Sequence, residues 1–232
     1  MSKIYQFSTI GALMSGYFSP DQDIYKVCSC SSIGLGCSEN LNAEMTILNG
    51  TPYTATAEEA LKTPEAPLEV PFYQVTSFDH FQEYHIGEAS TKNLEQFVQA
   101  VIPLNNNFIA LRIKATFHEL TLRRPYASSE TRSVQEVSDH QEVSTYKEIQ
   151  GHLVGFWTPE MFGRISVPGF HLHFLSEDKS VSGHVLDYYF SSALLQCEEK
   201  NVIEITHPKT SAFKNLNIDI EGLDEVIRKV EQ

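Results

Sequence analysis

Residues 167–187 read VPGFHLHFLSEDKSVSGHVLD, and the fold around them turns on how this stretch is paired. His171 and His173 stand two apart, so on a β-strand both rings leave the same face. The polar run Ser176, Glu177, Asp178, Lys179, Ser180 reads as a turn, and Val181 to Tyr188 as the returning strand. His184 then lies roughly opposite the first pair. Residues directly opposed in an antiparallel pair share a face, so an even-numbered loop that sets His184 across from His171 or His173 brings all three rings together. An odd loop turns His184 away unless Gly183 hosts a bulge. A lone His-x-His in a strand is usually surface or core. A third histidine one hairpin later, in an apolar segment, shifts the reading towards a zinc-type site with open coordination positions.

Working outward, Glu44 to Leu48 reads as a strand that turns back through Asn49-Gly50. Ile24 to Cys30, Phe72 to Phe78, His152 to Trp157 and Val202 to Thr206 read as further strands, and Phe108 to Arg123 as a long one. A first helix is predicted over Ser8 to Ser15, with Ser8 as N-cap and Gly16 as stop. Leu94, Phe97, Val98, Val101 and Ile102 follow helical spacing, which Pro103 closes. In the tail, Leu223, Val226, Ile227 and Val230 fall on one helical stripe. Tyr126 to Tyr146 is polar and reads as a linker or loop. Strands dominate without regular βαβ alternation, so the fold class is α+β, β-rich, with two mixed or antiparallel sheets sharing a core and a few helices around them. The expected organisation is a β-rich half over 1–125, a polar connection over 126–148, and a second half over 149–232 carrying the histidine hairpin and the terminal helix.

Thirty acidic residues against 17 Lys and Arg leave a net charge of −13. That argues against nucleic acid or an anionic membrane as partner, since both need clustered cations. An anionic substrate would have to be drawn in by a local positive site. No segment approaches the roughly 20 apolar residues of a membrane span, and no signal peptide is evident at the start, so a cytoplasmic protein is expected. Cys28, Cys30 and Cys37 lack the usual metal spacing and, with Cys197, read as free structural thiols.

The stretch from Gly151 to Asp187 resembles the core motif of the α-acetolactate decarboxylase family. IYQFSTIGALMSGYF (4–18) is similar to its opening segment, GLGCSENLNAEMTILNG (34–50) to its glycine-rich loop and glutamate strand, and FIALRIKATFHELTLR (108–123) to its arginine strand. The resemblance implies a zinc-dependent lyase, with a homodimer as a family-level expectation, that converts 2-acetolactate, a small 2-hydroxy-3-oxo acid, to acetoin and carbon dioxide. Carried onto this sequence, it places zinc on His171, His173 and His184, and catalytic roles on Glu44, Arg123 and Glu231. Cys37 stands where the family usually has threonine, Asn42-Ala43 where it has Asp-Gly, and the Arg123-Arg124-Pro125 run departs from its Thr-Arg-Thr.

Those residue types suit the chemistry. Losing carbon dioxide leaves an electron pair on carbon, delocalised as an enediolate, and a Lewis acid held by neutral imidazoles stabilises that charge. Arg123 has the planar fork that orients a carboxylate, and Glu44, between Ala43 and Met45, sits where burial would raise its pKa towards proton-donor range. Two rivals remain. His171-x-His173-x3-Glu177 mimics the first metal motif of cupin dioxygenases and isomerases, without a downstream second motif. A catalytically idle homologue that keeps zinc and binds a metabolite is the other.

Overall fold

The computed structural model describes residues 3–130 and 132–231. In chain order its elements begin β1 (Lys3–Phe7), α1 (Ile10–Met14), β2 (Gln22–Asp23), β3 (Ser32–Cys37), β4 (Glu44–Leu48) and β5 (Thr51–Ala55). There follow β6 (Glu69–Val70), β7 (Phe72–Ser77), β8 (Gln82–Ile86), β9 (Ala89–Ser90) and α2 (Leu94–Val101). The remainder comprises β10 (Phe108–Pro125), α3 (Val134–Asp139), β11 (Gln141–Thr158), β12 (Gly169–Ser176) and β13 (Ser182–Phe190). β14 (Ala193–Lys200), β15 (Val202–Thr206), α4 (Ser211–Lys214) and α5 (Ile220–Glu231) complete the chain. No helix is long and apolar enough to cross a membrane, among the described residues.

Two sheets carry the structure, in the α+β, β-rich arrangement expected. One runs β15-β1-β7-β3-β4-β5, the other β8-β14-β10-β11-β12-β13-β9. All pairings are antiparallel except β1 with β15. Ile33, Leu35, Leu48 and Phe72 of the first sheet share a buried core with Val154, Phe156 and Leu175 of the second. β10 is apolar on both faces: Phe108 and Ala110 join that core, while Ile109, Leu111 and Ile113 pack with Leu94 and Val98 of α2. The sheets are assembled across the boundaries expected from the sequence. β10, from the first 125 residues, lies between β14 and β11, and β15 returns to the first sheet.

The structure corrects several local expectations. Ser8 ends β1 with φ +63°, and Thr9 is the cap of α1, accepting from the Ala12 amide. Over Ile24 to Cys30 there is no strand; Asp23 caps a short 3-10 turn, Ile24–Lys26. The polar stretch Tyr126 to Tyr146 is not a linker throughout. It holds α3, opened by a Ser133/Glu136 capping box, and the start of β11. In α5, Leu223, Ile227 and Val230 are buried, whereas Val226 faces solvent. Three such side chains contribute about 1.5–3 kcal/mol each when fully buried, enough to hold the end of the chain against the core.

Register brings the histidines together. His173 opposes His184 across β12 and β13, so the even loop is the one formed. β10 adds Arg123 opposite His184 by a register shift between Thr121 and Leu122. Thr121 pairs with Asp187 but Leu122 with Val185, leaving Leu186 as the extra residue of a bulge. Unshifted pairing would set Arg123 against Val185, on the opposite face from His184.

β11 and β12 also approach closely. A Cβ at Gly155 would lie 1.9 Å from the His171 carbonyl oxygen, a backbone atom with no rotamer to yield. Gly155→Ala should therefore force the strands apart beside His171, at about 1–3 kcal/mol. Urea unfolding and metal titration should both register the change; unaltered values in both would contradict the tight packing. A second expectation concerns His152, whose Nε2 contacts Glu177 at 3.0 Å and whose pKa burial pushes down to about 4. Unfolded, it binds a proton near 6.5, so the contribution is present above 6.5 and lost as pH falls towards 4. It amounts to roughly 3 kcal/mol. His152→Gln should flatten the acid loss of stability in urea midpoints between about pH 7 and 4.5; an identical pH dependence would refute it.

Candidate functional site

All six residues singled out from the sequence converge between the two sheets. β12 supplies His171 and His173, β13 His184, β10 Arg123, β4 Glu44, and the last turn of α5 Glu231. One ring nitrogen from each histidine lies within 4.8 Å of the other two, and all three residues are buried. The Nδ1 atoms of His171 and His173 have no hydrogen-bond partner. His184 Nδ1 accepts from Arg123 Nη2 at 3.2 Å, and because a guanidinium can only donate, that nitrogen carries its lone pair.

Burial decides the protonation of the three rings. It holds His171 down to about 3 and His173 and His184 well below the ordinary imidazole value, with the Arg123 charge acting in the same direction. They are therefore neutral at physiological pH, the form that ligates a metal. No hydrogen bond joins one ring to another among the described residues. This cluster is a set of residues that could hold a metal ion.

Two carboxylates border it. Glu231 accepts from Arg123 Nη2 at 2.9 Å and stands 3.8 Å from His171 Nε2 and from His184 Nδ1. Arg123 also donates through Nη1 to the Val230 carbonyl, so a cation tethers the carbonyl end of α5, where the helix dipole favours positive charge. Glu44 lies 3.6 Å from His173 Nε2 and 3.8 Å from Arg123 Nε. Desolvation raises its pKa to about 7, against the opposing pull of Arg123. Arg123 Nε itself is buried without a hydrogen-bond partner, so one donor of the fork is uncommitted.

These groups line a cavity of about 50 Å³ together with Ile10, Leu13, Met14, Phe72, Val134 and Val137. That is room for only a few waters by the same measure, which suits a small metabolite. The apolar wall lowers the local dielectric and strengthens each charged contact. Cys37 also lines the cavity, opposite Glu44 in the strand register, and burial pushes its thiol well above the ordinary range. It is a buried free thiol, as is Cys197, whereas Cys30 is exposed.

Sequence reasoning missed the parts α1 and α3 play as cavity wall. For α3 the signal was present, since Ser133 and Glu136 form a capping box around Val134, and Val137 follows at helical spacing. It also missed Asn42, whose side chain bonds both the amide and the carbonyl of Ser128 and accepts from Arg132, fastening the approach to α3. The remaining histidines lie outside the cluster; His118, for example, bridges Glu148 and Ser191 on the surface.

With the geometry in hand, comparison with known proteins is specific. Residues 4–220 match the sequence model of the family described as Alpha-acetolactate decarboxylase. The alpha-acetolactate decarboxylase of Lactococcus lactis subsp. lactis (strain IL1403) is 31% identical over 232 residues, covering 98% of this chain and 97% of the relative. That of Klebsiella aerogenes is 32% identical, covering 99% and 89%. The crystal structure of alpha-acetolactate decarboxylase from Bacillus subtilis strain 168 superposes with a TM-score of 0.92 at 25% identity, over 99% of each chain. The chain belongs to the alpha-acetolactate decarboxylase family.

Proposed function

We propose that this protein decarboxylates 2-acetolactate to acetoin and carbon dioxide, as a cytoplasmic carboxy-lyase using one zinc ion on His171, His173 and His184. The observation that carries the reading is the convergence of three buried, neutral imidazoles with Arg123, Glu44 and Glu231 in one small cavity. The donor set fits zinc: three histidine nitrogens within 4.8 Å of one another, with a carboxylate alongside, match the common catalytic zinc sites. Bound there, zinc supplies Lewis-acid stabilisation of the negative charge that develops on substrate oxygen as carbon dioxide departs.

The chain's own residues do the rest. The uncommitted Arg123 Nε donates to the substrate carboxylate and fixes the bond to be broken. The apolar wall excludes water and holds the short alkyl groups, favouring conversion of a charged carboxylate into neutral carbon dioxide. Glu44, whose raised pKa keeps a protonated fraction available at neutral pH, delivers its proton to the carbon that the carboxylate leaves, giving acetoin, and is reprotonated from solvent. Glu231 holds Arg123 in place and sets a negative charge beside the histidines. Three neutral ligands preserve the positive charge of the metal, whereas a site built chiefly of carboxylates would blunt it.

Incubating metal-quantified protein with racemic acetolactate tests the reading. Equimolar acetoin and carbon dioxide, lost on chelation and restored by zinc, are expected. Zinc binding without acetoin would leave the idle metabolite-binding homologue, and iron-dependent oxygen uptake the cupin-like enzyme. A second test addresses the tail. Removing residues 231–232, or Glu231→Gln, should lower kcat/KM by at least about tenfold in a protein that still folds, because Leu223, Ile227 and Val230 remain buried. Wild-type activity in both variants would make the tail carboxylate incidental.

A further inference from the structure

We infer that Thr46 and Ser182 are positioning residues, a buried hydroxyl clasp that sets the distance between Glu44 on one sheet and the histidine hairpin on the other. The inference rests on the reading of Glu44 as proton donor. Thr46 stands two residues after Glu44 on β4, and Ser182 two residues before His184 on β13, so each shares a face with its functional neighbour. Their hydroxyl oxygens are 2.8 Å apart, and both residues are at most 1% exposed.

The direction of the bond follows from its neighbour. Ser182 donates its only hydroxyl proton to the Phe174 carbonyl at 2.6 Å, so Thr46 must donate to Ser182. Phe174 follows His173 directly. The chain Thr46, Ser182, Phe174 therefore links the three strands that carry Glu44, His184 and His173, within two residues of each.

A hydroxyl pair in this position is informative because the inter-sheet core nearby is apolar, with Leu35 and Leu48 on one side and Val154 and Leu175 on the other. Buried hydroxyls are unfavourable unless paired, and the pair holds two strands closer than apolar groups can. Carbon atoms in contact settle at about 3.5–4.0 Å, against 2.8 Å here. Replacing the bond by a methyl contact should therefore move β4 away from β13 by up to about 1 Å, and a misplacement of that size can cost on the order of 10²-fold in rate. Glu44 stands 3.6 Å from His173, so a movement of β4 acts directly on this separation.

Thr46→Val is the informative change, since it keeps the side-chain shape and leaves Ser182 still donating to Phe174. In the zinc-loaded enzyme it should lower kcat by about 10–100-fold, with KM and zinc content near wild type. Thr46→Ser, which restores the hydroxyl, should recover most of the rate. Crystal structures of wild type and Thr46→Val should show the separation between Glu44 and His173 increased in the variant. An unchanged separation, or an equal rate loss in Thr46→Ser, overturns the clasp. The structural arm does not depend on turnover, so absence of acetoin formation by wild type would count against the proposed reaction and leave the clasp to be judged on the separation. Ser182→Ala combined with Thr46→Val should cost no more than the worse single variant; independent, multiplying losses would also overturn it.

Discussion

Everything at this site depends on strand register across β12, β13 and β10. Side chains alternate with a period of two, so a slip of one residue moves a whole set to the other face. With His173 opposite His184, and His171 two residues along, three rings share one face. The bulge at Leu186 then corrects the phase of β13 against β10, so that Arg123 joins them. Without it the guanidinium would leave on the outer face, and Glu231 would lose the partner that ties the end of α5 to the site.

Burying such a group of ionisable side chains is unfavourable unless each is neutral or paired. The solution here divides the two. The histidines stay neutral because burial and Arg123 both oppose protonation. Arg123 is paired, held by Glu231 and the Val230 carbonyl. Glu44, 3.8 Å from Arg123 and without a hydrogen bond to it, is left at an intermediate pKa of about 7. The inequality between the two carboxylates, one paired and one poised, comes from geometry alone, since their side chains have the same chemistry.

Much of this was legible in the sequence, for a physical reason. The histidine hairpin is local: its strands, turn and alternation are all encoded within 21 residues, and the even loop was one of two alternatives that spacing allowed. Glu44 to Leu48 with its Asn49-Gly50 turn is likewise local, and both turn residues take the positive φ that such a turn needs. Long-range convergence was not legible from periodicity. Arg123 reaches the site through a bulge that no single residue announces, and Glu231 through packing of a helix more than 100 residues away; the family resemblance pointed to both. The strand expected at Ile24 to Cys30 failed because alternation of small and apolar residues does not distinguish a strand from a turn held by an Asp cap. The polar stretch before Tyr146 hid the first third of a strand, because no residue of that part of β11 is fully buried and so it carries few apolar residues.

The central claim is that one zinc ion sits where the three strands bring their histidines together. Anomalous diffraction at the zinc edge, from crystals of the protein purified without added chelator, tests it most directly. The account predicts one strong peak per chain among His171, His173 and His184, with Glu231 beside it. A peak elsewhere, or no peak in protein that produces acetoin at full rate, would contradict it.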